Sequence, residues 1–531
     1  MSLQVKPFFR PETGMFLGLW LALLLVGRSS LLQDPGTFWH TSLGLEMLET
    51  GEIPRTDHFT FTRGGTQWLT LQWLAELFLG AAYALGGWDS VVLLTVTVIA
   101  ATYTFAGSRL LRSGLHWMPA TLVLVFLLLA SSHHFHARPH LATIGLLAVT
   151  VGLLMDFENQ RGGVGRLGWL LLLFPLWTNL HGGVLAGLAT VYFVVAGWAA
   201  AYVIRRGNSC LLPRHVGPVG VLMVLLPATF LCNPYGAAMR QRWLEIMAMP
   251  LPNIIEEHRP LDFSESMAWI VIGFALVYTA VIATTRPRDW KVTWLVPLLW
   301  LLLAWSRIRH VPLFAMVTTL VLADALPSSR IGCWLARRDL FRMAPGLPST
   351  WRAALIPASV VVLTLLLQRG QVPIPVFGTG WARHAAEKWP VELTNSAVPQ
   401  FGNQFDRHQR PAVRVFNTLT YGGFLAFHFP HVKTFIDDRC ELFGAEFLER
   451  YVEMEQHHPE KIEGCARQYA IDYALVKRDS KLDRYLQASD GWSTVATAQA
   501  ARLYRKNSSS AGGTRAAGTD LQSRPARWNC A

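Results

Sequence analysis

Asp34 is the first acidic side chain after an apolar segment of membrane-spanning length, in the stretch LLQDPGTFWHTS, residues 31–42. A carboxylate at the end of a membrane helix is costly unless it is paired or used. Pro35 restricts the backbone of Asp34, and Trp39 suits the water–lipid interface. The position indicates either a functional carboxylate or an interfacial cap with Arg28 as its candidate partner.

Cationic side chains form a second group that could do chemistry. The group consists of Arg138, Arg259, Arg307, Arg309 and His310. The guanidinium fork suits phosphate, so a shared phosphate or pyrophosphate ligand at the bilayer surface would explain several of these cations at once. Snorkelling, or pairing of Arg259 with Glu256 and Glu257, explains the same residues without a ligand.

Histidine and amide side chains form a third group. Four histidines in SSHHFHARPH, residues 131–140, could bind a transition metal. However, Pro139 breaks the helical register between His136 and His140, and the motif holds no acid, so we interpret it as a polar mouth. At WTNLHGG, residues 177–183, close packing at the two glycines is an equally good explanation. We expect these side chains to face one cavity: His40, His136, Asn179 and His181.

Long apolar runs must position these residues. The chain has 531 residues, of which 52% are hydrophobic and 15% charged, whereas soluble domains carry about a quarter charged residues. We predict a polytopic membrane protein with about eleven spans and a juxtamembrane helix at 67–86. The predicted spans are 14–32, 88–107, 118–132, 141–157, 167–180, 183–203, 217–232, 267–284, 292–305, 308–326 and 351–368.

Charge sets the predicted orientation. If 67–86 does not cross the membrane, the Arg- and Lys-rich loops lie on the side of the N-terminus, as the positive-inside rule requires. The N-terminus is then cytoplasmic, and the candidate side chains gather at the outer face. Topology thus explains the net charge of +12 without a nucleic-acid partner.

The chain divides into three regions. Residues 1–369 form the predicted transmembrane domain, with an outer loop at 33–66. Alternating strands and an amphipathic helix predict a small α/β domain at 370–506 outside the membrane. The Ser-, Gly- and Ala-rich tail 507–531 is predicted to be disordered. Cys440 and Cys465 could form a disulfide if they face an oxidising compartment, and the sequence leaves this question open.

The motif series resembles the GT-C superfamily of membrane glycosyltransferases, which includes oligosaccharyltransferases, protein O-mannosyltransferases and aminoarabinose transferases of lipid A. The likeness extends from LLQDPGTFWHTS through ARPH, WTNLHGG, NPYG and RIRHVPLF to FIDDRCELFG and YAIDYALVKRDS, up to about residue 506. It is greatest to uncharacterised bacterial GT-C-like proteins of the dolichyl-phosphate-mannose-protein mannosyltransferase type. The resemblance implies a bacterial cytoplasmic-membrane protein with a periplasmic or extracellular C-terminal domain.

The resemblance also implies a reaction. A polyprenyl-phosphate-linked sugar is the donor, and a lipid, glycan or protein is the acceptor. Asp34 matches the acid that assists the acceptor as a base or through a divalent cation, Mg or Mn. Asp57 would either orient the acceptor or share that cation with Asp34. Asp57 also fits a simple loop turn. Pro35 follows Asp34 where many members carry a second acid, and the family's Lys-Pro-Pro element is absent.

Two other functions remain open. A transporter or flippase of a lipid-linked saccharide would also need outer cations, but it predicts polar groups on the inner half and an inverted repeat, and the sequence has neither. A non-catalytic assembly protein would instead bind partners through 370–506.

Overall fold

The computed structural model describes residues 10–205, 210–249, 256–340, 354–397, 401 and 413–507. Most of the predicted disordered tail lies outside these residues. The part before residue 370 is helical, because its apolar runs satisfy their backbone hydrogen bonds internally. The helices are α1 Pro11–Ser30, α2 Gly36–Thr50, α3 Trp73–Arg112, α4 Trp117–Ser131, α5 His140–Glu158, α6 Leu170–Leu180, α7 Val184–Arg205, α8 Pro213–Ala228, α9 Ala237–Ala248, α10 Ser266–Ala283, α11 Val296–Ser306, α12 Val311–Ala325, α13 Arg330–Ala336 and α14 Leu355–Arg369.

The chain is a multi-pass membrane protein. Within the described residues, eight helices are long and apolar enough to cross a membrane. Three shorter apolar helices, Val164–Leu180, Val292–Ser306 and Leu355–Arg369, coincide with predicted spans. Length and composition alone therefore do not settle the predicted figure of about eleven spans. Helix α12 is the central one, since every residue of Val311–Ala325 is buried.

The predicted outer loop contains a helix. Most of α2 is buried, and its backbone crosses α3 closely, because a Cβ on Gly44 would lie 1.9 Å from the carbonyl oxygen of Glu76. The predicted juxtamembrane helix is not separate either. It forms the first part of α3, from Trp73 to a kink at Gly86 and Gly87, where Gly87 has a φ of +63°. Glycine allows this turn without strain.

The C-terminal region holds a five-stranded mixed sheet of order β2-β1-β3-β5-β4. Strand β1 is parallel to β2 and β3, and β5 is antiparallel to β3 and β4. Its strands are β1 Val413–Asn417, β2 Val432–Thr434, β3 Tyr473–Lys477, β4 Trp492–Thr497 and β5 Ala501–Lys506. Its helices are Leu393–Ser396, Gly422–His428, Cys440–Phe443, Ala445–Gln456, Ile462–Gln468 and Lys481–Ala488.

One predicted strand is partly a helix. The run 413–429 reads as apolar strand, but only β1 is extended, and Gly422–His428 is helical. The reason is topological, since parallel strands need a crossover connection and this helix supplies it between β1 and β2. The disulfide that the sequence left open is not formed, because Cys440 is a free, buried thiol.

The α/β domain and the first predicted outer loop form one folded unit. Thr60 forms a parallel bridge with Thr434 of β2. Thr434 N donates to Phe59 O at 3.0 Å, and Phe61 N donates to Thr434 O at 3.0 Å. Trp39 from α2, together with Phe59, also belongs to the apolar core of the domain. Residues near both ends of the chain are therefore held together.

Candidate functional site

A cavity of about 1470 Å³ lies where the helices meet the α/β domain. Most of the side chains singled out from the sequence line it. Those that line it are Asp34, His136, Arg138, His181, Arg259, Arg307, Arg309 and His310. The structure thus brings eight residues from five separate chain segments to one place at one end of the helices.

Asp34 is buried at the start of α2, where Pro35 leads into the helix. Its Oδ1 accepts a hydrogen bond from Gly36 N at 2.8 Å, two residues further on, as in an Asx turn. Its Oδ2 accepts from Arg138 Nη1 at 3.1 Å. Arg28, the partner considered from the sequence, instead donates from Nε to Trp381 O at 3.0 Å. Asp34 therefore takes part both in a turn just before α2 and in an ion pair.

Arg138 lies among three carboxylates, which we call the acidic cluster: Asp34, Glu257 and Asp438. Its Nη1 also lies 3.2 Å from Glu257 Oε1, and its Nη2 lies 3.9 Å from Asp438 Oδ2. Trp39 Nε1 donates to Asp438 Oδ1 at 2.7 Å and fixes that carboxylate. Three distant chain segments thus supply acids to one guanidinium.

Gly36 lies at the contact between these groups. A Cβ at this position would lie 3.0 Å from Asp34 Oδ1, 3.1 Å from Asp438 Oδ2 and 3.3 Å from Arg138 Nε. The two aspartate carboxylates therefore approach each other across a residue that has no side chain.

The acids of this cluster differ in protonation. Burial raises the pKa of Asp438 to about 7, helped by the charges of Asp34 and Asp437 and opposed by Arg138. For Glu257, burial acts upward, but Arg138 and other nearby cations outweigh it and lower its pKa to about 2. At neutral pH Glu257 is thus ionised, whereas Asp438 is protonated in part of the molecules.

Four side chains form a basic cluster on another part of the wall: His258, Arg307, Arg309 and His310. Arg309 Nη1 donates to His258 Nε2 at 2.6 Å. Burial and the charges of Arg309 and Arg307 lower the pKa of His258 to about 4, so this ring is neutral and carries its proton on Nδ1. His310 Nδ1 donates to Leu303 O at 3.0 Å.

The guanidinium groups of Arg307 and Arg259 differ in their ion-pair partners. The guanidinium of Arg307 has no hydrogen-bond or ion-pair partner within the described part of the chain, whereas its backbone N donates to Leu303 O at 3.0 Å. Arg259 Nη1 and Nη2 both lie 2.7 Å from the carboxylate of Glu265. This bidentate pair engages Arg259, so Arg307 is the stronger candidate to bind an anion.

The structure does not bring Asp57 to Asp34. The Asp57 carboxylate accepts from Arg439 Nη2 at 2.6 Å and from Thr60 Oγ1 at 2.6 Å, and it is buried outside the cavity wall. Burial acts to raise its pKa, but Arg439 outweighs this and lowers it. Asp57 therefore anchors the fold, because all of its charge is used locally.

Two further predicted cavity residues are structural. His40 Nδ1 lies 3.0 Å from Glu76 Oε1 in a buried pair. Asn179 Oδ1 accepts from Trp73 Nε1 at 2.7 Å, and its Nδ2 donates to Cys232 O at 2.8 Å. These contacts hold α2 and α6 in place, and neither residue lines the cavity.

Sequence reasoning missed Asp438 and His258, and it assigned Glu257 only to Arg259. Asp438 lies 399 positions from the Trp39 that holds it, so no local spacing could connect them. The usable signal was two adjacent acids directly after a strand, in FIDDR, since polar residues on connections often carry function.

The acidic cluster does not fit a resident divalent cation. Mg²⁺ and Mn²⁺ need several oxygen ligands around one free position. In this site the position between the carboxylates is taken by the guanidinium of Arg138. Among the described residues, no group of three or more His, Cys, Asp or Glu side chains is placed to hold a metal ion.

The remaining wall of the cavity is apolar. It is built from α7, α9, α10 and α11 by Leu185, Ala186, Met247, Met267 and Leu299. Because these helices belong to the membrane part, hydrocarbon and polar groups can occupy the same cavity.

No protein-family model matches the sequence, and no curated protein matches it. Several solved structures are similar, among them these three. The apo oligosaccharyltransferase of Archaeoglobus fulgidus has a TM-score of 0.55 and 12% identity, covering 90% of this chain and 70% of its own. The same enzyme tethered to an acceptor peptide with an NVT sequon has a TM-score of 0.52 and 12% identity, covering 87% and 69%. ArnT of Cupriavidus metallidurans, bound to undecaprenyl phosphate, has a TM-score of 0.47 and 14% identity, covering 94% and 99%.

The likeness to the oligosaccharyltransferase shows a shared fold. This chain thus shares the fold of that oligosaccharyltransferase, while the identity of 12% assigns it to no family.

Proposed function

We propose that this protein is a membrane glycosyltransferase. It moves a sugar from a polyprenyl-phosphate-linked donor to a lipid, glycan or protein acceptor at the outer face of the bacterial cytoplasmic membrane. The observation that carries the proposal is one cavity with an acidic cluster, a basic cluster and an apolar wall. The fold shared with an oligosaccharyltransferase supports the same reaction class.

The acidic cluster assists the acceptor. An acceptor hydroxyl or amine donates its hydrogen bond to Asp34, whose carboxylate retains lone pairs beyond its bonds to Gly36 and Arg138. The acceptor atom attacks the anomeric carbon, and its proton passes to the carboxylate. The bond between the anomeric carbon and the phosphate oxygen breaks, and its electron pair leaves with the phosphate.

The basic cluster stabilises the leaving group. Arg307, Arg309 and the Nδ1–H of His258 present donors to the phosphate, where negative charge develops as the bond breaks. Removing one such donor typically lowers kcat by about 100- to 1000-fold. The apolar wall would hold the isoprenoid chain of the same donor.

The opposite end of the helices favours a transferase over a transporter. There Asp324 accepts hydrogen bonds from Lys291 Nζ at 2.8 Å, Trp294 Nε1 at 2.8 Å and Asn159 Nδ2 at 2.9 Å. These polar groups satisfy one another. A carrier with alternating access needs polar groups that face a second opening at this end.

The proposal is tested with the full chain in lipid nanodiscs and a panel of synthetic polyprenyl-phosphate sugars. The measured product is free polyprenyl phosphate. We expect Asp34→Asn and Arg307→Ala each to lower its release by about 100-fold. Arg337→Ala is the matched control, because Arg337 is exposed beyond the far end of α12, and it should retain full turnover.

Full turnover by Asp34→Asn would remove that carboxylate from the reaction. Movement of intact lipid-linked saccharide across sealed vesicles, without release of polyprenyl phosphate, would support the transporter instead. A third result would favour the non-catalytic assembly protein. In that case neither activity occurs, and cells lose the protein's function only when the α/β domain is deleted.

A further inference from the structure

The guanidinium of Arg138 is placed where a metal ion would be expected among carboxylates. Asp34 Oδ2 lies 3.1 Å from Arg138 Nη1, Glu257 Oε1 lies 3.2 Å from the same nitrogen, and Asp438 Oδ2 lies 3.9 Å from Nη2. A largely buried carboxylate needs a counter-charge, and no other guanidinium or ammonium group lies within ion-pair distance of these three acids in the described ranges.

The backbone holds Arg138 in this position. Ala137 N donates to Leu31 O at 2.9 Å, and Ala137 O accepts from Thr37 Oγ1 at 3.1 Å. These two bonds join the segment that carries Arg138 to the chain on both sides of Asp34. The guanidinium is thus part of the folded site, and its three contacts do not depend on a mobile loop.

We propose that Arg138 is a built-in cation, which occupies the place of a divalent ion between Asp34, Glu257 and Asp438, so that the site works without a resident metal. A second cation at this position would be repelled by the guanidinium at close range. It would also have to displace the hydrogen bonds that Arg138 makes with Asp34 and Glu257.

The charge of the cluster agrees with this role. One guanidinium cannot neutralise three ionised carboxylates. However, burial raises the pKa of Asp438 to about 7, so near neutral pH this acid is protonated for part of the time. Protonation of Asp438 removes one negative charge from the cluster that Arg138 faces.

Cation binding to the purified full chain tests the inference. After removal of metals by chelation, Mn²⁺ is titrated and followed by electron paramagnetic resonance. We expect the wild-type protein to show no Mn²⁺ binding that depends on Asp34. Arg138→Ala should expose three carboxylates and bind one Mn²⁺ at least about tenfold more tightly. Adding Asp438→Asn to that variant should abolish the gain.

Arg259→Ala is the matched control. Arg259 lines the same cavity but pairs with the carboxylate of Glu265, away from the acidic cluster, so its removal should create no Mn²⁺ site there. Arg138→Gln is the second variant, because it keeps a polar side chain of similar length if Arg138→Ala does not fold.

Two results would overturn the inference. One is wild-type Mn²⁺ binding that Asp34→Asn abolishes, since a metal would then share the site with Arg138. The other is a folded Arg138 variant that gains no Mn²⁺ affinity. The readout is cation binding, so the result stands whether or not the protein transfers sugars.

Discussion

Gly36 determines how closely the acids of the site can approach each other. A methyl group at this position would contact Asp34 Oδ1 and Asp438 Oδ2 at 3.0 and 3.1 Å. We expect Gly36→Ala to displace these carboxylates by a few tenths of an ångström and to lower kcat by about tenfold, since small misplacements of reacting groups are costly. Steady-state kinetics of polyprenyl phosphate release would measure this.

The control for Gly36→Ala is Gly18→Ala, because a Cβ on Gly18 of α1 meets no atom within 4 Å. It should leave both kcat and the melting temperature unchanged or slightly raised. Equal losses of activity in both variants would contradict the role given to Gly36.

Asp438 should make stability depend on pH. Its pKa rises to about 7 in the folded protein because of burial, so between pH 4 and pH 7 the folded state binds more protons than the unfolded state. The contribution of Asp438 to the stability of the folded state therefore falls as the pH rises through this window. Asp438→Asn mimics the protonated form and should not show this loss.

The measurement is the melting temperature of both proteins at several pH values. We expect the advantage of Asp438→Asn to grow from pH 4 to pH 7 and to level off above it. Asp490→Asn, at an exposed position, controls for general charge effects. An advantage that shrinks with pH would contradict the raised pKa.

Single residues were predictable from the sequence where their position alone was unusual. Asp34 follows an apolar segment. Arg307 is a positive charge at the predicted outer face, where the positive-inside rule predicts few Arg and Lys residues. Asp438 has no such signal, because its environment is made by α2 and Arg138, far away in the chain. The role predicted for Asp57 stays a prediction. Nothing in the sequence indicated its buried ion pair with Arg439, because the two residues are far apart in the chain.

At the scale of elements, the crossing of α2 and α3 positions Asp34. The two backbones touch at Gly44 and Gly80, and a Cβ on Gly80 would lie 2.3 Å from Gly44 C. We expect Gly44→Ala to lower the free energy of unfolding by about 1–3 kcal/mol, because neither backbone can move away without repacking. Thermal unfolding in detergent would measure this loss.

Gly14→Ala is the control for that crossing, because Gly14 lies in α1 and a Cβ added to it would meet no atom within 4 Å. It should be neutral or stabilising by up to about 1 kcal/mol. If Gly44→Ala is as stable as Gly14→Ala, the helices do not depend on this contact.

Elements with a clear period were predictable. The structure confirms the predicted helix at Ala445–Gln456 and the strands β3, β4 and β5. Each of them shows its own apolar period in a short stretch of sequence, helical in the first case and alternating in the strands. Helix α2 was missed, because it is buried nearly all round by the α/β domain and α3 and so has no polar stripe.

At the scale of the whole molecule, one buried arginine joins the first predicted outer loop to the α/β domain. Arg439 donates to Asp57 and to Asp437, each at 2.6 Å, and its guanidinium lies 4.7 Å from the ring centre of Trp68. We expect Arg439→Met to lower the free energy of unfolding by about 3–5 kcal/mol, because it leaves two acids buried without a counter-charge.

Limited proteolysis and thermal unfolding would detect this release of the first loop from the α/β domain. Arg450→Ala is the control, since Arg450 pairs with Glu446 at the surface and should cost at most about 1 kcal/mol. Restored stability in the triple variant that also carries Asp57→Asn and Asp437→Asn would confirm the cause. Equal melting temperatures for both single variants would contradict it.

The pairing of Asp57 with Arg439 has a consequence for biosynthesis. These residues are 382 positions apart, and all of the predicted membrane spans except the first lie between them. At 5–20 residues per second, a ribosome needs roughly 20 to 80 s to make the intervening chain. During that time α2 and the first loop wait in the membrane environment with their aromatic side chains uncovered. In each new molecule the first outer loop therefore lacks its partner until the α/β domain has been made.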